Sequence, residues 1–368
     1  MGRRGLMQSL LSNLSRPISR VLGRFSSTPP DMYLRIERVD GLVEALRSIQ
    51  NNTEACADRI QSLSSTVLAD LQTAVGLCLS RTQENGSIIE RLEKEIAACE
   101  VSIGRMTALT TDHLRYANTY ATAGSFEIQR RSLELLRLLK PHRAEGFRKA
   151  RFGSPNDGGY ILLDDFENIS AAFSFGIEQN ASWDVCVANR GVPVYQFDHT
   201  IDIPPVWRHD LIFSKKRTAP QAGPDCETIN DLVTRHASVG SASLVLKIDI
   251  EHDEWPVFDA TSDAALSCFA QIVGEFHGFG LMIDPEWSER ARRVFEKITS
   301  RFAAVHLHAN NHCGINSVAN IPVPEVLEIT FANRSRYSFV AADEMFPGAL
   351  DAPNYPYLPD IHLGKFAY

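Results

Sequence analysis

Seven short runs of β-branched and aromatic residues, most of them separated by helical patterns, constrain the second half of this chain more than any other feature. The runs are Ala171–Phe175, Val192–Phe197, Asp210–Phe213, Ser243–Ile250, Ala270–Phe276, Ala303–Ala309 and Val326–Phe331. Strands that alternate with helices form βαβ units, so the pattern predicts an α/β domain around a mainly parallel, doubly wound sheet. A helix over Glu127–Leu139, ended by Pro141, leads into it. The last two runs have no long helix between them, which predicts an antiparallel turn at that end of the sheet. The domain covers residues 126–368.

Upstream, residues 31–112 hold little glycine and a sustained heptad. Its positions are Val39, Leu42, Leu46, Ile49, Thr53, Cys56, Ile60, Leu63, Val67, Asp70, Ala74 and Leu77, with only Thr53 and Asp70 breaking the apolar series. Asn85-Gly86 interrupts it, Ser87 and Glu90 form a capping box, and a second frame runs Ile89, Leu92, Ile96, Cys99, Ile103 and Met106. The frame shifts by one residue across the break, so either a helical hairpin or two coiled-coil segments fits. The heptad predicts a homo-oligomer; a helical spacer without a partner is the alternative.

Residues 1–30 form a separate tail with five arginines and no acid. It reads as a disordered basic tail, a peripheral membrane contact or, in a eukaryote, a mitochondrial transit peptide. The whole chain has a formal net charge of −8, so the remainder carries −13. That acidic body lacks the clustered Lys and Arg that a nucleic acid requires, and a neutral or small partner is expected instead. The seven cysteines include no CxxC pair, which points to a reducing, cytoplasmic compartment and not to a disulfide framework or zinc cluster. No apolar run reaches the roughly 18 residues of a membrane span.

In doubly wound sheets ligands sit beyond the carboxyl ends of the strands, where strand order reverses. The first run ends in FSFGIEQNASWD, and Gly176 is where backbone can approach a cofactor closely. The second ends at Asp198, placed to accept hydrogen bonds from both ribose hydroxyls of a nucleoside cofactor, or to cap the next turn. The string SLVLKIDIEHDEW delivers Lys247, Asp249, Glu251 and Glu254. Alternation puts the first three on one face, for catalysis or ligand positioning, with a buried Lys247–Asp249 ion pair as the structural reading. QIVGEFHGFG adds Glu275 and His277, and VHLHANNH adds His306, His308, Asn310, Asn311 and His312. His277 or His308 could take a proton from a hydroxyl nucleophile. Asp249, Glu251, Glu275, His277 and His308 could instead surround a divalent metal, a less favoured reading, or serve as hydrogen-bonded scaffolding. Ahead of the first strand, Asp157-Gly158-Gly159-Tyr160 makes a tight turn able to cover a cofactor.

Taken in order, DGGY, SFGI, YQFDHTI, LKIDIEHDEW, EFH, HLHANN, EVLEITF and LDAPNYP resemble the methyltransferase domain of the methyltransferase-like protein 24 family. That family is akin to the FkbM-type methyltransferases, whose K-I-D-x-E-G-x-E strand is echoed by Lys247–Glu254. The resemblance implies a Rossmann-like class I methyltransferase fold with a seven-stranded sheet and S-adenosylmethionine as methyl donor. The implied acceptor is a hydroxyl on a glycan, glycoconjugate or secondary metabolite. It implies that Gly176 belongs to the first-strand cofactor loop, that Asp198 binds the ribose and that Asp249 closes the fourth strand. The reading of the residues themselves adds Asp157, Gly158 and Gly159 as cofactor contacts and His277, Asp249 and His308 as candidates for the chemistry, with no metal ligand assigned. His252 stands where the family pattern has glycine, and the cofactor loop has one glycine instead of several. The rival from another class is a non-catalytic coiled-coil scaffold with a degenerate domain. A dehydrogenase would need the G-x-G-x-x-G loop that this chain lacks.

Overall fold

A computed structural model describes residues 122–237 and 240–368. The basic tail and the heptad segments lie outside the described residues. Seven strands form the central sheet: β1 (Ala171–Phe175), β2 (Val194–Phe197), β3 (Leu211–Ser214), β4 (Leu244–Ile248), β5 (Phe269–His277), β6 (Phe302–Ala309) and β7 (Val326–Asn333). They lie in the order β3-β2-β1-β4-β5-β7-β6.

The sheet is mixed, which corrects the expectation of a mainly parallel one. The pairings β1–β2, β1–β4, β2–β3 and β4–β5 are parallel, but β7 runs antiparallel to both β5 and β6. The connections explain this. A parallel neighbour needs a long crossover, usually helical, whereas an antiparallel one can follow a short return. Residues 310–325 contain only a small hairpin, Ile315–Val318 paired with Ile321–Pro324, so the chain comes back beside β6 in the opposite sense.

Six helices flank the sheet: α1 (Phe126–Arg137), α2 (Ser182–Ala188), α3 (Ile229–His236), α4 (Glu254–Ala260), α5 (Asp263–Leu266) and α6 (Pro285–Thr299). The long ones carry their own end signals. Ser125 caps α1 by accepting from the Ile128 amide, with Glu127 in the first turn and Arg137 in the last. Asp284 accepts from the amides of Glu286 and Trp287 at 2.7 and 3.0 Å to start α6, where Pro285 has no amide to lose. No helix among the described residues is long and apolar enough to cross a membrane.

The two faces of the sheet differ, and the difference positions the site. On one face Phe173, Phe175, Leu246, Phe276, Leu307, Ile329 and Phe331 pack with α1, α4 and α6 in a continuous apolar core. Alternation sends their neighbours to the other face, which is apolar over Ala172 and Val245 but polar over Lys247, Glu275, Glu328, His306 and His308. A hairpin, Lys149–Gly153 with Gly159–Leu163, lies against this second face. The buried Gln271 holds it as a backbone strand would, accepting from the Leu163 amide at 2.8 Å and donating to the Leu163 carbonyl at 3.0 Å. Thr330 donates to the Ile161 carbonyl at 2.5 Å. The C-terminal stretch returns over the same region, its ends tied by the Phe346 amide donating to the Gly364 carbonyl at 2.8 Å.

Candidate functional site

Strand order reverses between β1 and β4, so the crevice beyond their carboxyl ends is where a doubly wound sheet takes its ligand. Gly176 ends β1 with φ +71°, and a Cβ there would stand 1.7 Å from the Asp249 carbonyl oxygen. Only glycine lets these two strand ends approach so closely. The Asp249 amide donates to the Phe175 carbonyl at 3.0 Å, and the Lys247 ammonium donates to the Gly176 carbonyl. The expected pairing of Lys247 with Asp249 is therefore only a neighbouring charge, with the lysine directed at the loop backbone.

β4 stops at Ile248, two residues before the run predicted from sequence ends. Glu251 and His252 then take left-handed backbone, with φ of +51° and +74°. His252 thus occupies a conformation suited to the glycine of the FkbM-type pattern, at a cost of about 1–2 kcal/mol for a residue with a Cβ. The turn also removes Glu251 from the strand face that was to carry it with Lys247 and Asp249.

Asp198 reaches the Gly176 loop from β2. Its Oδ2 accepts from the amides of Ile177 and Glu178 at 2.9 and 2.8 Å, and its Oδ1 from the amide and hydroxyl of Thr200 at 2.8 and 2.6 Å. Burial raises its pKa, but the Thr200 hydroxyl and these amides outweigh that and hold it below the ordinary carboxylate value. A carboxylate has about four acceptor sites, and all are taken. The turn-capping role is thus present, and a ribose would have to displace protein donors. Asp198→Ala strips acceptors from three backbone amides, so the cofactor-free protein is expected to lose about 2–3 kcal/mol. Urea unfolding midpoints should fall from wild type to Asp198→Asn and further to Asp198→Ala; equal midpoints would show that the carboxylate serves a ligand alone.

The DGGY turn packs onto the same loop. The Asn180 side chain donates to the Asp157 carbonyl at 3.0 Å, and a Cβ on Gly158 would meet its amide nitrogen at 2.2 Å. On Gly159 a Cβ would strike the Ser154 carbonyl at 2.0 Å. These glycines serve hairpin closure, and they bring Tyr160 into the site. Its buried hydroxyl lies 3.1 Å from Asp249 Oδ2 and 3.2 Å from Glu275 Oε1. Burial, with Asp249 and Glu275 beside it, pushes the phenol well above its usual range.

A row of polar side chains then crosses the sheet at one level. Glu275 of β5 faces Glu328 of β7, which faces His308 of β6. Glu275 accepts from Asn310 at 3.1 Å, and burial next to Asp249 and Glu328 raises its pKa well above the ordinary carboxyl value. Burial likewise raises Asp249 to about 6, partly offset by Lys247 and His277. His308 is clamped, with Nδ1 3.1 Å from Glu328 and Nε2 3.1 Å from Asp360. Burial would lower its pKa, but those two partners lift it to about 10. Neither nitrogen is left to act as a base, and His308 sits apart from Asp249 and His277. His306 makes a parallel tie to Asp351 at 2.8 Å.

His277 ends β5 beside Asp249 and the following turn. Its Nδ1 is 3.2 Å from Glu254 Oε1 and its Nε2 3.6 Å from Glu251. Burial opposes its charge, yet Glu254, Asp249 and Glu251 raise its pKa to about 9. That shift favours the charged ring, held between Glu254 and Glu251. Of the five residues considered for a metal, Asp249, Glu251 and His277 come together, with one ligand atom each within 4.8 Å of the others. Glu275 and His308 do not join them.

Sequence reasoning missed three contributors. Glu328 was visible as a lone charge inside the apolar run VLEITF. Asn354, which donates to Glu328 at 2.6 Å, and Asp360 lie in irregular chain where no periodicity marks them.

Fold and crevice together define an α/β protein with a mixed seven-stranded sheet and a carboxylate-rich site at its switch point. No family model matches the chain, and no curated protein matches it.

Proposed function

We propose that residues 126–368 act as an S-adenosylmethionine-dependent O-methyltransferase of FkbM-like type, taking a hydroxyl on a glycan, glycoconjugate or secondary metabolite. The observation that carries this reading is the meeting of Gly176 and Asp249 at the reversal of strand order. The order β3-β2-β1-β4-β5-β7-β6 is also that of the nucleotide-binding Rossmann sheet, 3-2-1-4-5-6, with one strand inserted before the last. A sulfonium is cationic, and Asp249, Glu251 and Glu254 gather negative charge beside the crevice.

The donor is already a reactive electrophile, so the protein's main task is alignment. The acceptor oxygen forms its bond to the methyl carbon as the carbon–sulfur bond breaks and the electron pair stays on sulfur. Asp249 takes the hydroxyl proton. Calorimetry on the full chain should show S-adenosylmethionine binding at micromolar concentration and none for nicotinamide dinucleotides. A folded sample that binds no S-adenosylmethionine would overturn the reading. A non-catalytic scaffold is the second reading, favoured by the saturation of Asp198. Donor binding without transfer to any acceptor would speak for it.

A further inference from the structure

We infer that Asp249 and Glu275 share a single proton through the Tyr160 hydroxyl, that Glu275 holds it, and that Tyr160 and Glu275 thereby act as positioning residues for Asp249. A count of hydrogens carries this. The Tyr160 oxygen lies 3.1 Å from Asp249 Oδ2 and 3.2 Å from Glu275 Oε1. A phenol has one hydrogen to give, and an ionised carboxylate has none. Both contacts are hydrogen bonds only if one of the two carboxyls brings a proton of its own. With both ionised, one of them would face the Tyr160 oxygen lone pair to lone pair.

The surroundings decide which carboxyl holds the proton. Glu275 is 3% exposed, and its other oxygen accepts from the neutral Asn310 side chain. Opposite it on β7 stands another carboxylate, Glu328, whose own cation is His308. Asp157, in the turn of the overlying hairpin, adds a further negative charge. No cation among the described residues bonds Glu275. A buried charge without a partner is so costly that the group takes up a proton instead. Asp249 is only half-buried, at the crevice. Burial works against its charge, but Lys247 and His277 favour it, with Glu251 and Glu254 opposing. The Lys247 ammonium also lies 5.6 Å from the centre of the Tyr160 ring. The bonds then run one way: Glu275 donates to the Tyr160 oxygen, and Tyr160 donates to Asp249. Two carboxyls in unlike environments divide a shared proton in this manner.

The use of this arrangement rests on the methyl-transfer reading, although the shared proton does not. Asp249 keeps its negative charge at the crevice, is held in place by the Tyr160 hydrogen bond, and takes the proton that the acceptor hydroxyl loses. Tyr160 and Glu275 act only through it.

The test is infrared spectroscopy of the full-length protein without S-adenosylmethionine at about pH 8, far above the roughly 4 at which free carboxyls ionise. Difference spectra between wild type and each variant cancel any band from Asp184, a deeply buried carboxyl on α2. Glu275→Gln, which has the shape of the neutral acid, should remove the carbonyl band of one protonated carboxyl. Tyr160→Phe should shift that band, and Asp249→Asn should leave it in place. Folded Glu275→Gln protein that loses no band would overturn the proposal. Loss of the band in Asp249→Asn would do the same, because it would put the proton on Asp249. Should Glu275→Gln fail to fold, Tyr160→Phe decides, since an unshifted band means that no hydrogen bond joins the tyrosine to the protonated group. Because no methyl donor is present, the result is separate from the outcome of the cofactor calorimetry.

Discussion

Gly176→Ala is expected to abolish S-adenosylmethionine binding and to lower folding stability by at least about 3 kcal/mol. The reasons are additive. A residue with a Cβ at φ +71° loses about 1–2 kcal/mol relative to glycine. Its methyl group would also lie 1.7 Å from the Asp249 carbonyl, an overlap with backbone that no rotamer change relieves. Relief requires β1 and β4 to separate, breaking the hydrogen bond from the Asp249 amide to the Phe175 carbonyl. Gly191→Ala is the control, since Gly191 has φ +81° and nothing within 4 Å of the added carbon. It should lose only the conformational part and keep its ligand. Denaturant midpoints and calorimetry on both variants decide the matter, and equal effects would remove the close approach as the explanation.

His308→Leu should cost about 3–5 kcal/mol, because it leaves Glu328 and Asp360 facing each other in a buried place without their shared counter-charge. A pH series gives the more specific signature. The folded pKa of about 10 lies above the roughly 6.5 of an unfolded histidine, so the folded chain binds more protons between these values. The stabilisation is complete below about 6.5 and is lost as pH rises through 10. His277, raised to about 9, contributes in the same direction, so the wild-type slope should be reduced in the variant but not removed. An undiminished fall in the unfolding midpoint between pH 7 and 10 would sink the clamp.

Period and composition define the elements well because each strand run is bounded by a change of pattern. Ala171–Phe175 is a strand over its full predicted length, and the missing helix before Val326 correctly signals an antiparallel end. Ser243–Ile250 overstates its strand, since Ile250 is apolar and nothing local announces the left-handed turn at Glu251 and His252. The insertion of β7 between β5 and β6 is not legible either, because a period of two tells which face a residue occupies but not which strand it pairs with. In the site, Gly176, Asp249 and His277 stand out in sequence as unusual residues at strand ends. Asp198 stands out for a ligand role, yet its four acceptor sites are spent on the loop. The clamp residues Asp351 and Asp360 come from chain without period, and only three-dimensional return brings them to His306 and His308.

The position of β7 also bears on how the chain reaches this state. β5 and β6 both precede it, yet it lies between them and is the only sheet partner of β6 among the described residues. Until it docks, one edge of β5 is open, nine residues long and buried along its whole length in the finished protein. An edge of that kind is a template for pairing with another molecule. Closing it also requires contacts between residues far apart in the chain, which form slowly. Without β7 the sheet is five strands wide, and both β7 and the β6 it carries depend on that one pairing with β5.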